Sequence, residues 1–537
     1  MVTVQGFDSE PRIVNIPGVK VRKLEADKGR RKTRSAVMDS TIPTPGVVYT
    51  HNNSLSNVLR GIGERLKFVS DGRGGFMPPP VPRCFDLDEY GRRLLRKMPK
   101  QVGPIGRDEF VLLYDGPKRK RYEAAVVQLE RDGLQKRDGD VSLFIKDEKV
   151  CSWTKEDPAP RLISPRDPKY CVEVGRYIKP VEHLLYKAVA RVWGETTIAK
   201  GLNFNDRGKL IEEKWKSFND PVAVGLDASR FDQHVSFQAL SWEHSIYRGC
   251  YPRERRGGRL DRLLRRQLIN EGVCYVDDHE VKYRHRGGRM SGDMNTALGN
   301  CLIMTGLVWE YLRQRGITGK LINDGDDCVV FMERCDLLSF LVPLEDWFRV
   351  RGFSMKVEAP VYELEKIEFC QCHPVWNGEQ YTMCRNVYKA LFTDAVHIGR
   401  TVDEIRSIRS ATSKCGIVWS KGIPVFRPFY ELLECDVAPR YKARFHGDFL
   451  HSGTAWQAKG CVSGTDHVTD EARQSFAVAF GVSPAEQVLI ESFYRQLPKT
   501  DYHAPQNALV YNPKTSYNHY PLFVCESLNI VLGIENK

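Results

Sequence analysis

The chain contains no stretch of 18 or more apolar residues, so no segment reads as a membrane-spanning helix. It has no apolar N-terminal signal, and its 15 cysteines, an odd number, include no Cys-x-x-Cys pair. Reduced thiols in a cytosolic compartment are therefore expected. The nearest thing to a thiolate metal cluster is Cys370, Cys372, His373 and Cys384, whose spacing fits no common zinc finger. No Gly-x4-Gly-Lys-Ser/Thr loop is present to cradle phosphates, which leaves helicase and capping activities without support.

What the chain does have is length and positive charge. At 537 residues it should fold as several lobes around more than one core. Its 80 Lys and Arg against 68 Asp and Glu give a net charge of +12, which favours a polyanionic partner. The first 75 residues are poor in regular pattern. Within them Lys20, Arg22, Lys23, Lys28, Arg30, Arg31, Lys32 and Arg34 form a basic run that either touches nucleic acid or faces solvent. The Gly/Pro-rich passage from Asp71 to Pro82 reads as a linker into a folded unit.

The organising stretch is Leu321 to Phe331, where apolar residues flank Asn-Asp-Gly-Asp-Asp. It reads as a β-hairpin with carboxylates at its tip, Asn323, Asp324 and Gly325 taking the bent conformations. Crowded carboxylates repel one another unless a divalent cation neutralises them, and hard oxygen ligands suit Mg²⁺ or Mn²⁺. Upstream, the apolar strand of Val222 to Leu226 runs into Asp227, and Asp232 follows five residues later. Parity would set the two on opposite faces of a continuous strand, so Asp232 is expected past the strand end, in the turn leading into the next helix. There it can reach a neighbouring group such as a sugar hydroxyl.

Between these stretches, Ser291 and Gly292 read as a flexible loop before a long apolar-faced helix that stops at Gly316. Thr296 and Asn300 fall four apart, on one face of that helix. Helix capping is the alternative role for Ser291 or Asn295, but not for Asn300, one turn further in. From Leu143 to Pro180, Lys146, Lys149, Lys155, Arg161 and Arg166 interleave with apolar residues. That pattern gives either a cationic face able to hold a triphosphate or a solvated strand face. Seven Arg between Tyr251 and Arg266 suggest a helical insertion that tracks a phosphate backbone, or a basic helix with no ligand.

Taken in order, Asp227-x4-Asp232, Ser291-Gly-x3-Thr296-x3-Asn300 and Gly325-Asp-Asp327 resemble motifs A, B and C of the RNA-dependent RNA polymerases of positive-strand RNA viruses. The wording of residues 144–149, 225–234 and 355–358 is similar to plant viruses of the Tombusviridae, their carmovirus and umbravirus branches included. The resemblance implies an α+β right hand of fingers, palm and thumb, with an antiparallel palm sheet flanked by helices. It divides the chain into a basic N-terminal extension (1–75), fingers (76–215), a palm (216–395) with an Arg-rich insertion near 237–289, and a thumb (396–537).

It also implies residue roles. Asp227 and Asp326 would hold two Mg²⁺ ions (Mn²⁺ as a substitute), with Asp327 a weaker ligand. Asp232, Thr296 and Asn300 would sense the ribose 2′-hydroxyl, and Ser291 and Gly292 would let their loop flex as template advances. Lys149, Arg161 and Arg166 look like motif F, lining the path of the incoming ribonucleoside triphosphate. Lys356 resembles the motif D general acid, and residues 367–373 sit where motif E grips the primer strand. The expected activity is replication of a viral RNA genome on single-stranded template and nascent RNA. The alternatives are a reverse transcriptase or a non-catalytic RNA-binding replicase subunit. Relatives of this kind carry an upstream membrane-associated region, so Met1 is expected to begin the downstream part of a longer product that works at membrane-bound replication complexes in the host cytoplasm.

Overall fold

The computed structural model describes residues 2–25, 33–39, 41–155, 157–252, 257–398, 402–434, 453–499 and 507–509. The fold mixes helices and sheets, and everything that bears on the site hangs from one four-stranded antiparallel sheet. Its strands, in spatial order, are Gly319–Asp324, Asp327–Glu333, Pro221–Ala228 and Met355–Val357. These strands read as nearly continuous apolar runs because the sheet is covered on both faces. Successive side chains alternate between two cores. Val222, Val224 and Leu226, with Val330 and Met332, enter one core, against helices Pro168–Trp193, Phe237–Cys250 and Thr296–Arg315. Ala223, Ile322, Val329 and Phe331 enter the other, against helix Phe204–Trp215, the hairpin Cys372–Trp376 and Tyr381–Arg385, and helices Val402–Trp419 and Phe426–Leu432.

Helix Thr296–Arg315 is buried on nearly all sides, and Gly316 ends it in the left-handed conformation at φ 67°. Helix Pro168–Trp193 starts on Asp167, whose side chain accepts from the Lys169 amide, and Pro168 occupies its first turn. Among the described residues no helix is long and apolar enough to cross a membrane.

The first 75 residues pair with distant parts of the chain. Val2–Gln5 pairs with Ser35–Met38 and, in parallel, with Asn507–Leu509. Val19–Lys23 adds an edge strand to a second sheet, beside the hairpin His279–Arg286 and Ile269–Val276. The supposed linker closes a small hairpin between Val69–Ser70 and Phe76–Met77, its turn tied by the Asp71 side chain to the amides of Arg73 and Gly75. Local pattern is weak here because each short strand takes its partner from a distant part of the chain. Of the basic run, Lys20, Arg22 and Lys23 lie on that edge strand, while Arg34 reaches the carbonyls of Ile145 and Lys146. Lys28, Arg30, Arg31 and Lys32 lie outside the described residues, as do Arg253, Arg255 and Arg256 of the Arg-rich insertion, all of 435–452, and 500–537 apart from 507–509. The remainder of that insertion forms helix Arg259–Leu268.

Candidate active site

Strand register lines up four residues across the sheet. Asp324 faces Asp327, Asp327 faces Asp227, and Asp227 faces Lys356. Directly opposed residues of an antiparallel pair share a face, so three carboxylates and an ammonium form one row at the end of the sheet. The turn between the hairpin strands is Gly325-Asp326, with Gly325 at φ +94°, a conformation that glycine adopts without strain. Asn323 locks this turn, donating through Nδ2 to the Gly325 carbonyl at 2.7 Å and accepting from the Gly325 amide at 3.2 Å. Asp326 is thereby held out at the tip, beside the row.

The charges in the row are treated differently. Burial alone would raise Asp324, but Lys200 and Arg207 outweigh it and hold the carboxyl below the usual range; Arg207 Nη2 lies 2.6 Å from Oδ2. Asp327 is pushed up to about 7, first by withdrawal from water and then by Asp326 and Asp324, although the Cys370 amide donates to it at 2.9 Å. Loss of water also raises Asp326, with Asp227 and Asp324 adding repulsion. Glu358, two residues beyond Lys356, is raised by burial and by Glu368 and Asp227. Among the described residues no Lys or Arg ion-pairs with Asp227, Asp326 or Asp327, whereas Asp324 has two such partners.

A divalent cation fits this arrangement. The donors are hard carboxylate oxygens left short of positive charge, and the raised Asp326 and Asp327 record that shortage. Among the described residues no three His, Cys, Asp or Glu side chains converge to hold an ion by themselves.

Asp232 lies in the one-turn helix Phe231–His234, entered through Arg230 at φ 50°. Asn300 comes from helix Thr296–Arg315, and its Nδ2 donates to Asp232 Oδ1 at 2.9 Å, while its Oδ1 accepts from Arg289 Nε at 2.9 Å. Between this pair and the acidic row opens a cleft of about 780 Å³. Asp227, Asp232 and Asp326 line one side, with Arg65, Lys146, Lys155 and Arg161 on its wall. Arg65 is lowered to about 10 by withdrawal from water and by the charges of Arg230 and Arg161. Such mutual repulsion is relieved by an anion. The cleft therefore offers carboxylates for cations and, along its wall, four cations for phosphates, of which Lys146 and Arg161 share the single carboxylate of Glu148.

A sequence model described as viral RNA dependent RNA polymerase matches residues 22–500. The chain belongs to that family. Its relatives include proteins named RNA-directed RNA polymerase from Tobacco necrosis virus (strain A), 38% identical over 467 residues, and from Oat chlorotic stunt virus, 37% identical over 491. A third, from Tomato bushy stunt virus (strain Cherry), is 40% identical over 477 residues. These alignments cover 86%, 87% and 88% of this chain but 64%, 65% and 57% of the relatives, so the chain spans less than two thirds of the length of each.

Within this member of the family, five of the twelve site residues singled out from sequence line one cleft, and four take different positions or roles. Asp227, Asp232, Asp326, Ser291 and Arg161 line it. Lys149 does not; its ammonium donates to the Thr393 carbonyl at 2.7 Å, at the end of helix Val387–Thr393. Lys146 and Lys149 stand in the irregular link between strands Phe144–Ile145 and Val150–Cys151, which pair with different partners, so one lysine reaches the cleft and the other does not. Arg166 is 2% exposed, and all of its guanidinium nitrogens are taken: by Asp293 at 2.5 Å, the Gly139 carbonyl and Asn270. It ties the loop 290–295 to the second sheet and has no donor to spare for a triphosphate. Thr296 turns its hydroxyl to the Met290 carbonyl at 2.9 Å, closing its own loop instead of reaching Asp232. Gly292 serves close packing: a Cβ there would lie 2.5 Å from the Pro165 Cα.

Arg65 and Arg230 were missed, the first because its segment lacked pattern, the second because only its left-handed backbone turns it to the cleft. Lys200 and Arg207 gave no signal at all, being more than 100 residues from Asp324. The turn Phe369–Cys372, with Cys370 and Gln371 at φ 52° and 60°, brings the Cys370 amide to Asp327. Backbone held in that region costs about 1 kcal/mol or more per residue, so the surrounding contacts must fix it.

Two outcomes follow from this geometry. Arg166→Ala should destabilise the fold by about 3 kcal/mol or more, because it leaves Asp293 buried without its counter-charge; a urea midpoint equal to wild type would contradict the clamp. In metal-free protein, Asp327 keeps its proton up to about pH 7, while an unfolded chain releases it near the ordinary 3.8. The folded state then binds more protons across that window, so this site's contribution to stability falls as pH rises through it. Asp327→Asn should flatten that slope, and chemical unfolding of both proteins across the window reads it.

Proposed function

We propose that this chain is the polymerase portion of a viral replicase, adding ribonucleotides to a nascent RNA strand on a single-stranded RNA template. The reading extends to a right hand in which the central sheet is the palm, the region carrying residues 141–166 and 269–286 the fingers, and the helices after residue 396 the thumb. What carries it is the row Asp327–Asp227–Lys356 with Asp326 beside it, next to a cleft walled by Arg65, Lys146, Lys155 and Arg161, a surplus of cations over the one carboxylate, Glu148, that pairs with Lys146 and Arg161.

Asp227 and Asp326 would hold two Mg²⁺ ions, or Mn²⁺ in their place, with Asp327 in support, and the chemistry such ions would supply there is activation of the primer 3′-hydroxyl and charge stabilisation of the leaving pyrophosphate. Arg161, Lys146, Lys155 and Arg65 spread their charge along the triphosphate and hold it in line. Lys356, exposed and opposite Asp227, is placed to give a proton to pyrophosphate as it leaves. Asp232, held by Asn300, presents a carboxylate oxygen to the ribose 2′-hydroxyl. That pair favours ribonucleotides and gives a reverse transcriptase nothing to use. We further propose that an upstream membrane-associated replicase region or protein brings this chain to membrane-bound complexes in the host cytoplasm.

The test is a purified-protein assay on a defined single-stranded RNA with the four ribonucleotides and Mg²⁺. Asp326→Asn and Asp227→Asn should each lower incorporation by about 10³-fold or more while RNA binding persists, because each removes several kcal/mol of charge stabilisation. Incorporation near the wild-type rate by either variant would sink the assignment. Arg161→Ala should raise the nucleotide KM about tenfold and leave RNA affinity unchanged, since its lost partner is a phosphate of the nucleotide. An equal loss of RNA affinity would move Arg161 to the template path.

A further inference from the structure

Behind Asp232 lies a buried polar network that the reaction itself does not touch. Arg289 and Glu243, on helix Phe237–Cys250, form an ion pair whose side chains are both 0% exposed, with Arg289 Nη1 3.2 Å from Glu243 Oε1 and Nη2 against Oε2. Glu243 is fixed in turn by the Tyr247 hydroxyl and Asn295 Nδ2, each donating to Oε1 at 2.7 Å. The remaining edge of the guanidinium, Nε, donates to Asn300 Oδ1. A second observation points the same way. Gly299 sits against the pair so closely that a Cβ would lie 2.4 Å from both Arg289 Nη2 and Glu243 Oε1. The helix backbone at the position next to Asn300 is thus shaped around Arg289 and Glu243.

The chemistry of an amide gives this arrangement its consequence. Asn presents a donor on one side and an acceptor on the other, and neighbours decide which way round it stands. Arginine has no acceptor, so Arg289 Nε can face only Oδ1 of Asn300. Nδ2 must then face Asp232, as it does. Asp232 Oδ1 is occupied as an acceptor, its second oxygen is left for the cleft, and Arg289 is held off the carboxylate it would otherwise neutralise. We infer that Glu243 and Arg289 are positioning residues for ribose selection: the ion pair sets the Asn300 amide and keeps Asp232 available to the 2′-hydroxyl. This rests on the proposed polymerase reading and adds to it the groups that tune sugar choice from outside the cleft.

The decisive variant is Arg289→Lys. It keeps the charge opposite Glu243 but replaces a planar fork with a point charge, which cannot pair with Glu243 and donate sideways to Asn300 in fixed geometry. With wild type and variant on one template, kcat/KM is measured for UTP and for its 2′-deoxy analogue, together with the thermal midpoint. The ratio between the two sugars should fall about tenfold, the worth of one well-placed hydrogen bond, through a higher KM for UTP alone. Glu243→Gln should narrow the ratio likewise, because Arg289 is freed to turn onto Asp232. If both nucleotides lose equally, or the ratio holds, the pair is structural and the inference fails. Should neither variant fold, the same ratio measured with Tyr247→Phe, which removes only the hydroxyl bond to Glu243, decides it in the same sense. Wild-type protein that incorporates no UTP overturns the polymerase reading itself, a result separate from an unchanged ratio in an active enzyme.

Discussion

Electrostatic repulsion at one end of a sheet is the constraint on which the rest of this structure depends. Antiparallel register forces Asp324, Asp327 and Asp227 into one row, and Asp326 is added by the turn. Four carboxylates in such a space would drive the strands apart if all stayed charged and unpaired. The chain answers in two ways. It supplies Lys200 and Arg207 to Asp324, and so fixes the hairpin. The others it leaves short of cations, with an amide on Asp327 and a raised proton affinity there as the interim solution. A site that holds its charge deficit open is one that binds cations when substrate arrives.

Much of the surrounding architecture keeps that deficit in place. Two cores grip the sheet from both faces, so the row cannot relax by sliding one strand, since a one-residue slip would turn every side chain to the wrong core. Arg166 locks the loop before helix Thr296–Arg315 onto the second sheet, and Gly292 packs that loop against Pro165. The N-terminal strands complete the same scaffold. Arg34 ties the strand at Phe144–Ile145 to the N-terminal segment, and Arg65, from just after the first helix, lines the cleft. Buried arginines such as Arg166 and Arg289 thus act as struts with every guanidinium nitrogen engaged, while Arg65 and Arg161 line the cleft.

Parity explains which sequence expectations survive contact with the structure. Asp227 stands on the strand end, and Asp232, five residues on, falls in the next helical turn, as alternation requires. Alternation does not reach Lys146 on the cleft and Lys149 against Thr393, because both stand in the irregular link between two short strands, a distinction a list of interleaved cations does not make. Thr296 and Asn300 share a helical face, yet only Asn300 meets Asp232, because Thr296 closes the loop ahead of it. Spacing gives direction along an element. It says nothing of how far the element stands from its partner.

By itself the sequence determined the chemistry of the site: carboxylates after two apolar strands, a glycine at the hairpin turn, and polar groups one helical turn apart. Those signals are local, written in periods of 2 and 3.6 residues and in turn residues, and local rules read them. Only the tertiary structure decided which charges are free. A guanidinium is a ligand for phosphate or a buried strut according to whether its donors already have partners, and those partners, Asp293 for Arg166 or Glu243 for Arg289, lie 127 and 46 residues away. Pairing at such distances leaves no periodic trace, because it depends on how the elements pack and not on how any one of them is patterned.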